Sequence, residues 1–205
     1  MKFRFIPLFA LPALFVLLGG CASDPRTDRS TLYLTDGGGV VAVPHRERAN
    51  FDNISYWDGD GVQGAPFVLV RLSEQRAYFY KGNQLVGISA ISTGREGWDT
   101  PPGKFKVLQK SKDHVSSIYG DYVDARTGEI IKKDIDRRVD KMPPGARYDG
   151  AKMPYFMRVT NTGVGLHAGF LPGYAASHGC IRMPLFMAEA FFNNVDLKTP
   201  VEIAP

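Results

Sequence analysis

A chain of 205 residues, 44% hydrophobic and 22% charged, suffices for one ordinary domain with a core and excludes two large ones. A formal charge of +4 and a pI of about 9.0 favour anionic surroundings such as a membrane or cell wall. The charges are scattered, and no basic run interleaves with aromatics, which argues against nucleic acid as a partner. The 14 prolines and 22 glycines point to a turn-rich, mostly β protein.

In chain order, Lys2 and Arg4 form a short positive region, and Phe5 to Leu18 is an apolar run broken by Pro7 and Pro12. The run is too short for a spanning helix and fits the apolar part of a signal peptide over residues 1–20. Leu18-Gly19-Gly20-Cys21 resembles a bacterial lipobox, whose cysteine is lipidated as the signal is removed. That resemblance implies attachment to a membrane through a lipid on Cys21. Ala22 rather than an aspartate follows, which by likeness to enterobacterial sorting implies the outer membrane and a periplasm-facing domain. The competing reading is a conventional signal cleaved near Ala22, leaving a soluble periplasmic protein. Cys21 and Cys180 are the two cysteines. A pair in an exported protein suggests a disulfide, but a lipidated Cys21 leaves Cys180 as a lone thiol in an oxidising compartment. Catalysis is a good reason for such a thiol.

Residues 21–65 read as a tether with a short N-terminal segment. They are polar and punctuated by Asp36-Gly37-Gly38-Gly39 and Asp58-Gly59-Asp60-Gly61, with little expected core; His45 there is a solvated residue. The domain expected over 66–205 opens with β-rich runs at 67–72, 77–80 and 85–91, separated by tight polar breaks, which predicts a meander. Lys104-Phe105-Lys106-Val107 alternates as a half-buried strand does. Trp98 is expected to pack, with stacking on a substrate as the alternative reading. Residues about 111–150 are polar and read as an insertion, with a hairpin near Ile130-Ile131; long insertions often act as lids. His114 is then a lid residue over a site, or a surface histidine. Two strands flank Asn161-Thr162-Gly163, the first opening near Tyr155, a core or groove-wall residue. One helix starts at Pro184 with Leu185, Ala188, Phe192 and Val195 on one face. Residues 201–203 form a closing strand.

The stretch from Gly165 to Met183 carries the chemistry. A free cysteine has a pKa of about 8.5, so only a few per cent is thiolate at neutral pH. A nearby imidazole such as His167 would take the proton and depress the Cys180 pKa, and the helix after Pro184 adds a positive dipole end. Gly179 lets the backbone pass close to a substrate, and amides near Gly179 and Cys180 suit an oxyanion. Arg182 offers a fork for a carboxylate. The same residue types suit zinc bound by His167, His178 and Cys180, although the usual paired spacings are missing. The blandest alternative is a buried cysteine with two satisfied core histidines.

Ser177-His178-Gly179-Cys180-Ile181-Arg182-Met183, with His167 upstream, resembles the active-site signature of the L,D-transpeptidases, the YkuD-type domain. Ser92-Thr93-Gly94 followed by Thr100-Pro101-Pro102-Gly103-Lys104-Phe105 is similar to a second recurrent segment of that family, and residues 75–93 fit its opening. The likeness covers about 66–204. It implies a mostly β sandwich-like fold with one or two short helices. It also implies a cysteine acyltransferase acting on peptidoglycan tetrapeptide stems, needing neither cofactor nor metal. Cys180 would be the nucleophile and His167 the general base. The Ala168 carbonyl would orient His167, although many members have glycine at that position. His178, Gly179 and the Cys180 amide would surround the oxyanion, with Ser177 and Arg182 shaping the substrate pocket. The acceptor stays open among an amine (a 3-3 cross-link), the lysine of an outer-membrane lipoprotein, and water, which would make an L,D-carboxypeptidase. A wall-binding lipoprotein that kept only the fold is the non-enzymatic alternative, opposed by the presence of both Cys180 and His167.

Overall fold

The computed structural model describes residues 52–205 and the paired strands β1 (Thr31–Leu34) and β2 (Val40–Val43). The expected signal peptide over 1–20, Cys21 and His45 lie outside the described residues. The elements that follow are β3 (Tyr56–Trp57), β4 (Pro66–Arg71), β5 (Arg76–Lys81), β6 (Gln84–Ala90) and β7 (Gly103–Lys106). Then come β8 (Gln109–Asp124), β9 (Ile130–Asp136), β10 (Ala146–Arg158), β11 (Gly165–Ala168), β12 (Ile181–Met183), the helix α1 (Leu185–Asn194) and β13 (Pro200–Ala204). They form a six-stranded sheet in the order β3-β6-β5-β4-β13-β7 and a five-stranded sheet in the order β12-β11-β10-β8-β9.

The expected meander is β4-β5-β6, antiparallel throughout. Its alternation buries Val68, Val70, Ala77, Phe79 and Val86 on one face. The same core receives Met157, Leu166, Ile181 and Met183 from the second sheet and Met187, Ala188 and Phe191 from α1. Phe79 and Phe191 are both fully buried and meet edge to face at 4.9 Å. Among the described residues the protein is thus mostly β, with two larger sheets and one helix that share a core.

Three expectations change. The helix buries Met187, Ala188 and Phe191 most deeply, while Leu185 and Phe192 are only partly buried. The buried stripe is therefore rotated from the one periodicity picked, because α1 is apolar on more than one side. The expected tether ends earlier than residue 65: β3 pairs with β6, and the Trp57 ring packs 5.1 Å from Phe79. Lastly, residues 111–150 are not a separate insertion. They are the outer lengths of β8 and β10, paired from Gln109↔Arg158 out to Asp124↔Ala146, with β9 added at the edge. Tyr122, Val123 and Ile135 are buried within this extension.

Candidate active site

The pleat of the five-stranded sheet sorts its residues onto two faces. In the parallel pair β11 and β12, Leu166 stands opposite Ile181 and His167 opposite Arg182. Leu166 and Ile181 enter the core, so His167 and Arg182 face the other way. Cys180 directly precedes β12, and the Gly165 N–H donates to its sulfur. It therefore shares the outer face with His167. The next strand, β10, adds Phe156 to this face, its ring 6.3 Å from the His167 ring.

His167 is buried, and its Nδ1 lies 2.8 Å from the Ala168 carbonyl oxygen. A carbonyl only accepts, so Nδ1 carries the proton and Nε2 of the neutral ring keeps its lone pair. Burial pulls the His167 pKa down to about 4, opposed by the bond to Ala168 and assisted by the charge of Arg182. Burial also pushes the Cys180 thiol up, against the Gly165 N–H and Arg182, which favour thiolate. The thiol donates weakly to the Gly163 carbonyl at 3.8 Å. Thiol and imidazole are thus both neutral at rest, and the expected depression of the Cys180 pKa is not found. Desolvation penalises both charged partners more than sequence proximity could reveal.

The loop before Cys180 is held from several sides. Gly179 has φ +107, a region glycine favours. The Ser177 hydroxyl donates to the Cys180 carbonyl at 2.5 Å and accepts from the Gly179 N–H at 3.0 Å. The Thr100 hydroxyl donates to the Gly179 carbonyl at 2.8 Å and accepts from the Gly94 N–H at 2.9 Å. The Ser177 N–H donates to the Thr93 carbonyl, and Ser92 and Arg182 exchange both backbone bonds. A Cβ on Gly94 would fall 1.9 Å from the Trp98 carbonyl oxygen and 3.0 Å from Gly179 Cα. Gln75, at φ 50, binds Thr93 through both ends of its amide.

Beside the thiol lies a cavity of about 230 Å³, whose walls include His114, Tyr119, Arg138, Phe156, Arg158, His178 and Cys180. The β8 and β9 extension forms one wall and grips His178. Tyr119 stacks on the His178 ring at 4.6 Å, and Trp98 meets that ring edge-on at 4.9 Å. Arg95 Nη2 lies 2.8 Å from His178 Nε2, and Asp134 Oδ1 lies 3.6 Å away. Guanidinium only donates, so His178 Nε2 accepts and the ring is neutral. Burial is the main cause lowering its pKa. His114 stacks on Phe156 at 4.3 Å, and its pKa is lowered by burial and then by Arg158. A larger hollow of about 580 Å³, around Phe105, Leu108, Val159 and Pro200, holds no nucleophile or histidine.

Residues 65–203 match the L,D-transpeptidase catalytic domain family, YkuD. The chain belongs to this family. A probable L,D-transpeptidase 3 of Mycobacterium tuberculosis is 28% identical over 205 residues, covering 97% of this chain and 61% of the relative. The chain thus spans less than two thirds of that relative's length. Among solved structures, an L,D-transpeptidase from Mycobacterium smegmatis aligns with TM-score 0.53 and 17% identity over 68% of this chain and 58% of its own. L,D-transpeptidase 3 from Mycobacterium tuberculosis aligns with TM-score 0.53 and 19% identity over 69% and 61%. The same enzyme in complex with a faropenem-derived adduct aligns with TM-score 0.51 and 21% identity over 69% and 60%. At these identities the structures show the shared fold.

Within this transpeptidase fold, Cys180, His178 and His114 line one cavity, and His167 stands behind Phe156 on the same face. Arg182 flanks His167, its side chain packed where a Cβ on Gly169 would clash. Ser177 is buried, and its hydroxyl, like the Gly179 N–H, is engaged inside the loop. Both shape the loop, where substrate contact was expected. Among the described residues no three His, Cys, Asp or Glu side chains gather as a ligand set, so His167, His178 and Cys180 do not form the zinc site weighed above. Sequence reasoning missed Gln75, Arg95, Tyr119, Asp134, Arg138 and Arg158. None sits in a recognisable motif, and only the pairing of β8, β9 and β10 brings four of them to the loop.

Proposed function

We propose that this chain is a cysteine-dependent L,D-transpeptidase acting on peptidoglycan tetrapeptide stems. The observation that carries the reading is the His167 Nδ1–H bond to the Ala168 carbonyl. It fixes the tautomer that presents a basic Nε2 on the face occupied by Cys180. The thiol proton passes to His167 Nε2, and sulfur attacks the carbonyl between the third and fourth stem residues. The carbon–sulfur bond forms, the carbon–nitrogen bond breaks, and the imidazolium returns the proton to the departing D-alanine nitrogen. An acceptor amine then attacks the thioester and loses its proton to His167; the new carbon–nitrogen bond forms, the carbon–sulfur bond breaks, and the imidazolium returns the proton to sulfur. Oxyanion charge falls to the amides of His178 and Cys180, since the Gly179 N–H is engaged.

The acceptor amine is a second stem, giving a 3-3 cross-link, or the lysine of an outer-membrane lipoprotein; water would give the carboxypeptidase outcome. In this reading the domain faces the periplasm, anchored in the outer membrane by a lipid on Cys21, and the β8 and β9 extension serves as a lid. Incubation with purified sacculi, followed by muropeptide mass analysis, tests the reaction and its acceptor together. Cross-linked or lipoprotein-linked products should form with the wild type and be lost in Cys180→Ser. Turnover that persists in that variant would sink the mechanism. Intact mass of membrane-extracted protein should show an acyl addition on Cys21; a mature form starting elsewhere would remove the anchor.

A further inference from the structure

The cavity beside Cys180 is lined by two cations and by no carboxylate. Arg138 is compensated: its guanidinium binds Asp136 through both carboxylate oxygens and donates to the Tyr119 hydroxyl at 2.8 Å. Arg158 differs. Its Nε is buried and makes no hydrogen bond, an arrangement that is costly for a charged donor and rare unless a ligand completes it.

Register places Arg158 relative to the chemistry. It stands opposite Gly165 across β10 and β11, and Gly165 in turn touches the sulfur of Cys180. The three residues form one row on the outer face, two strand spacings long, or roughly 10 Å. The middle position bears no side chain, and a Cβ there would fall 2.5 Å from the Phe156 ring. An extended peptide covers about 3.3–3.6 Å per residue. A group bound by Arg158 while Cys180 attacks is therefore within about two residues of the scissile carbonyl.

We propose that Arg158 is the carboxylate anchor for the acyl donor, binding either the free C-terminal carboxylate of the leaving residue or a side-chain carboxylate on the residue being acylated. The inference rests on the transpeptidase reading and deepens it. His114, held neutral by burial and by Arg158, adds a hydrogen-bonding wall without competing for the charge.

The test measures donor binding to the full chain carrying Cys180→Ala, which separates it from turnover. Three peptides are compared: the free-acid tetrapeptide, its C-terminal carboxamide, and the tetrapeptide amidated at the third residue's side-chain carboxylate. One amide should bind about 10- to 100-fold more weakly than the free acid, the size expected for a charged hydrogen bond, and which one does so identifies the source. Adding Arg158→Gln should weaken the free acid by the same factor and erase the discrimination, while Arg158→Lys retains part of it. The melting temperature of Arg158→Gln should change little, since the buried Nε it removes makes no hydrogen bond. Equal binding of all three peptides, or discrimination that survives Arg158→Gln, overturns the proposal; the peptide comparison alone decides it should the variant not fold. Wild-type enzyme that turns over no donor defeats the transpeptidase reading instead.

Discussion

His167 should write its burial into the pH dependence of stability. In the unfolded chain a histidine titrates near 6.5, whereas in the fold it titrates at about 4 because burial opposes the charge. Between those values the unfolded state binds one more proton than the native state, so stability rises with pH across the window and is lost as pH falls from 6.5 towards 4. One proton corresponds to about 1.4 kcal/mol per pH unit, and the whole window to about 3 kcal/mol. His114 and His178 are shifted in the same direction by burial, so the wild-type slope exceeds one proton. The informative quantity is the difference on replacing His167 by Gln. Urea unfolding measured from pH 4 to 7 should show His167→Gln with a slope lower by about one proton, whatever its absolute stability. Equal slopes would mean that His167 titrates normally, and the neutral resting pair would have to be abandoned.

The thiol gives a companion test: alkylation of Cys180 by iodoacetamide should rise with pH and reach half its maximum above about 8.5, the value of a free cysteine. A midpoint below 8 would show a resting ion pair instead. Gly94→Ala should lower the melting temperature by an amount equivalent to about 1–3 kcal/mol and change the rate at which iodoacetamide alkylates Cys180, because its Cβ meets the Trp98 backbone. Unchanged values in both assays would show that the loop yields freely. Thr100→Val removes the hydroxyl that bridges Gly94 and Gly179 and should cost about 1–3 kcal/mol, with Thr100→Ser close to wild type in thermal unfolding. An equal loss in the serine variant would place the effect in the lost methyl group.

The parts of the fold legible in the sequence are those where one side of a strand is buried. The β4-β5-β6 meander alternates cleanly, and its turns carry polar breaks at residues 73–75 and 81–83. The nucleophile loop was legible because Gly179 and Cys180 lie in a compact motif. The β8 and β9 extension was not, since few of its residues are fully buried and period-two contrast disappears: Ile130 to Asp134 are all exposed. Trp57 was hidden for a different reason. Its strand is two residues long, and the Asp58-Gly59-Asp60-Gly61 run beside it reads as linker. The Gly59 position is in fact packed against the Trp57 ring, where a Cβ would fall 2.4 Å away. Long-range pairing also explains why Arg158 escaped notice. Its importance depends on Gly165 standing opposite, and nothing within β10 itself announces that partner.

Under the proposed mechanism, the neutral states of Cys180 and His167 have a consequence. An ion pair formed at rest in this site would bear the desolvation of both thiolate and imidazolium, and their mutual attraction need not offset it. Keeping the proton on sulfur avoids that penalty until a carbonyl is in place to take up the developing charge. The groups that favour the thiolate, the Gly165 N–H and Arg182, are already oriented, so little reorganisation accompanies the transfer. The wall from β8 and β9 strengthens the same logic. By stacking Tyr119 on His178 and placing Asp134 beside the Arg95 guanidinium, it holds the cysteine loop. A thiol protected in this way reacts slowly with incidental electrophiles and oxidants, which attack the thiolate, yet it stays poised for a substrate that brings an acyl carbon within reach of Cys180.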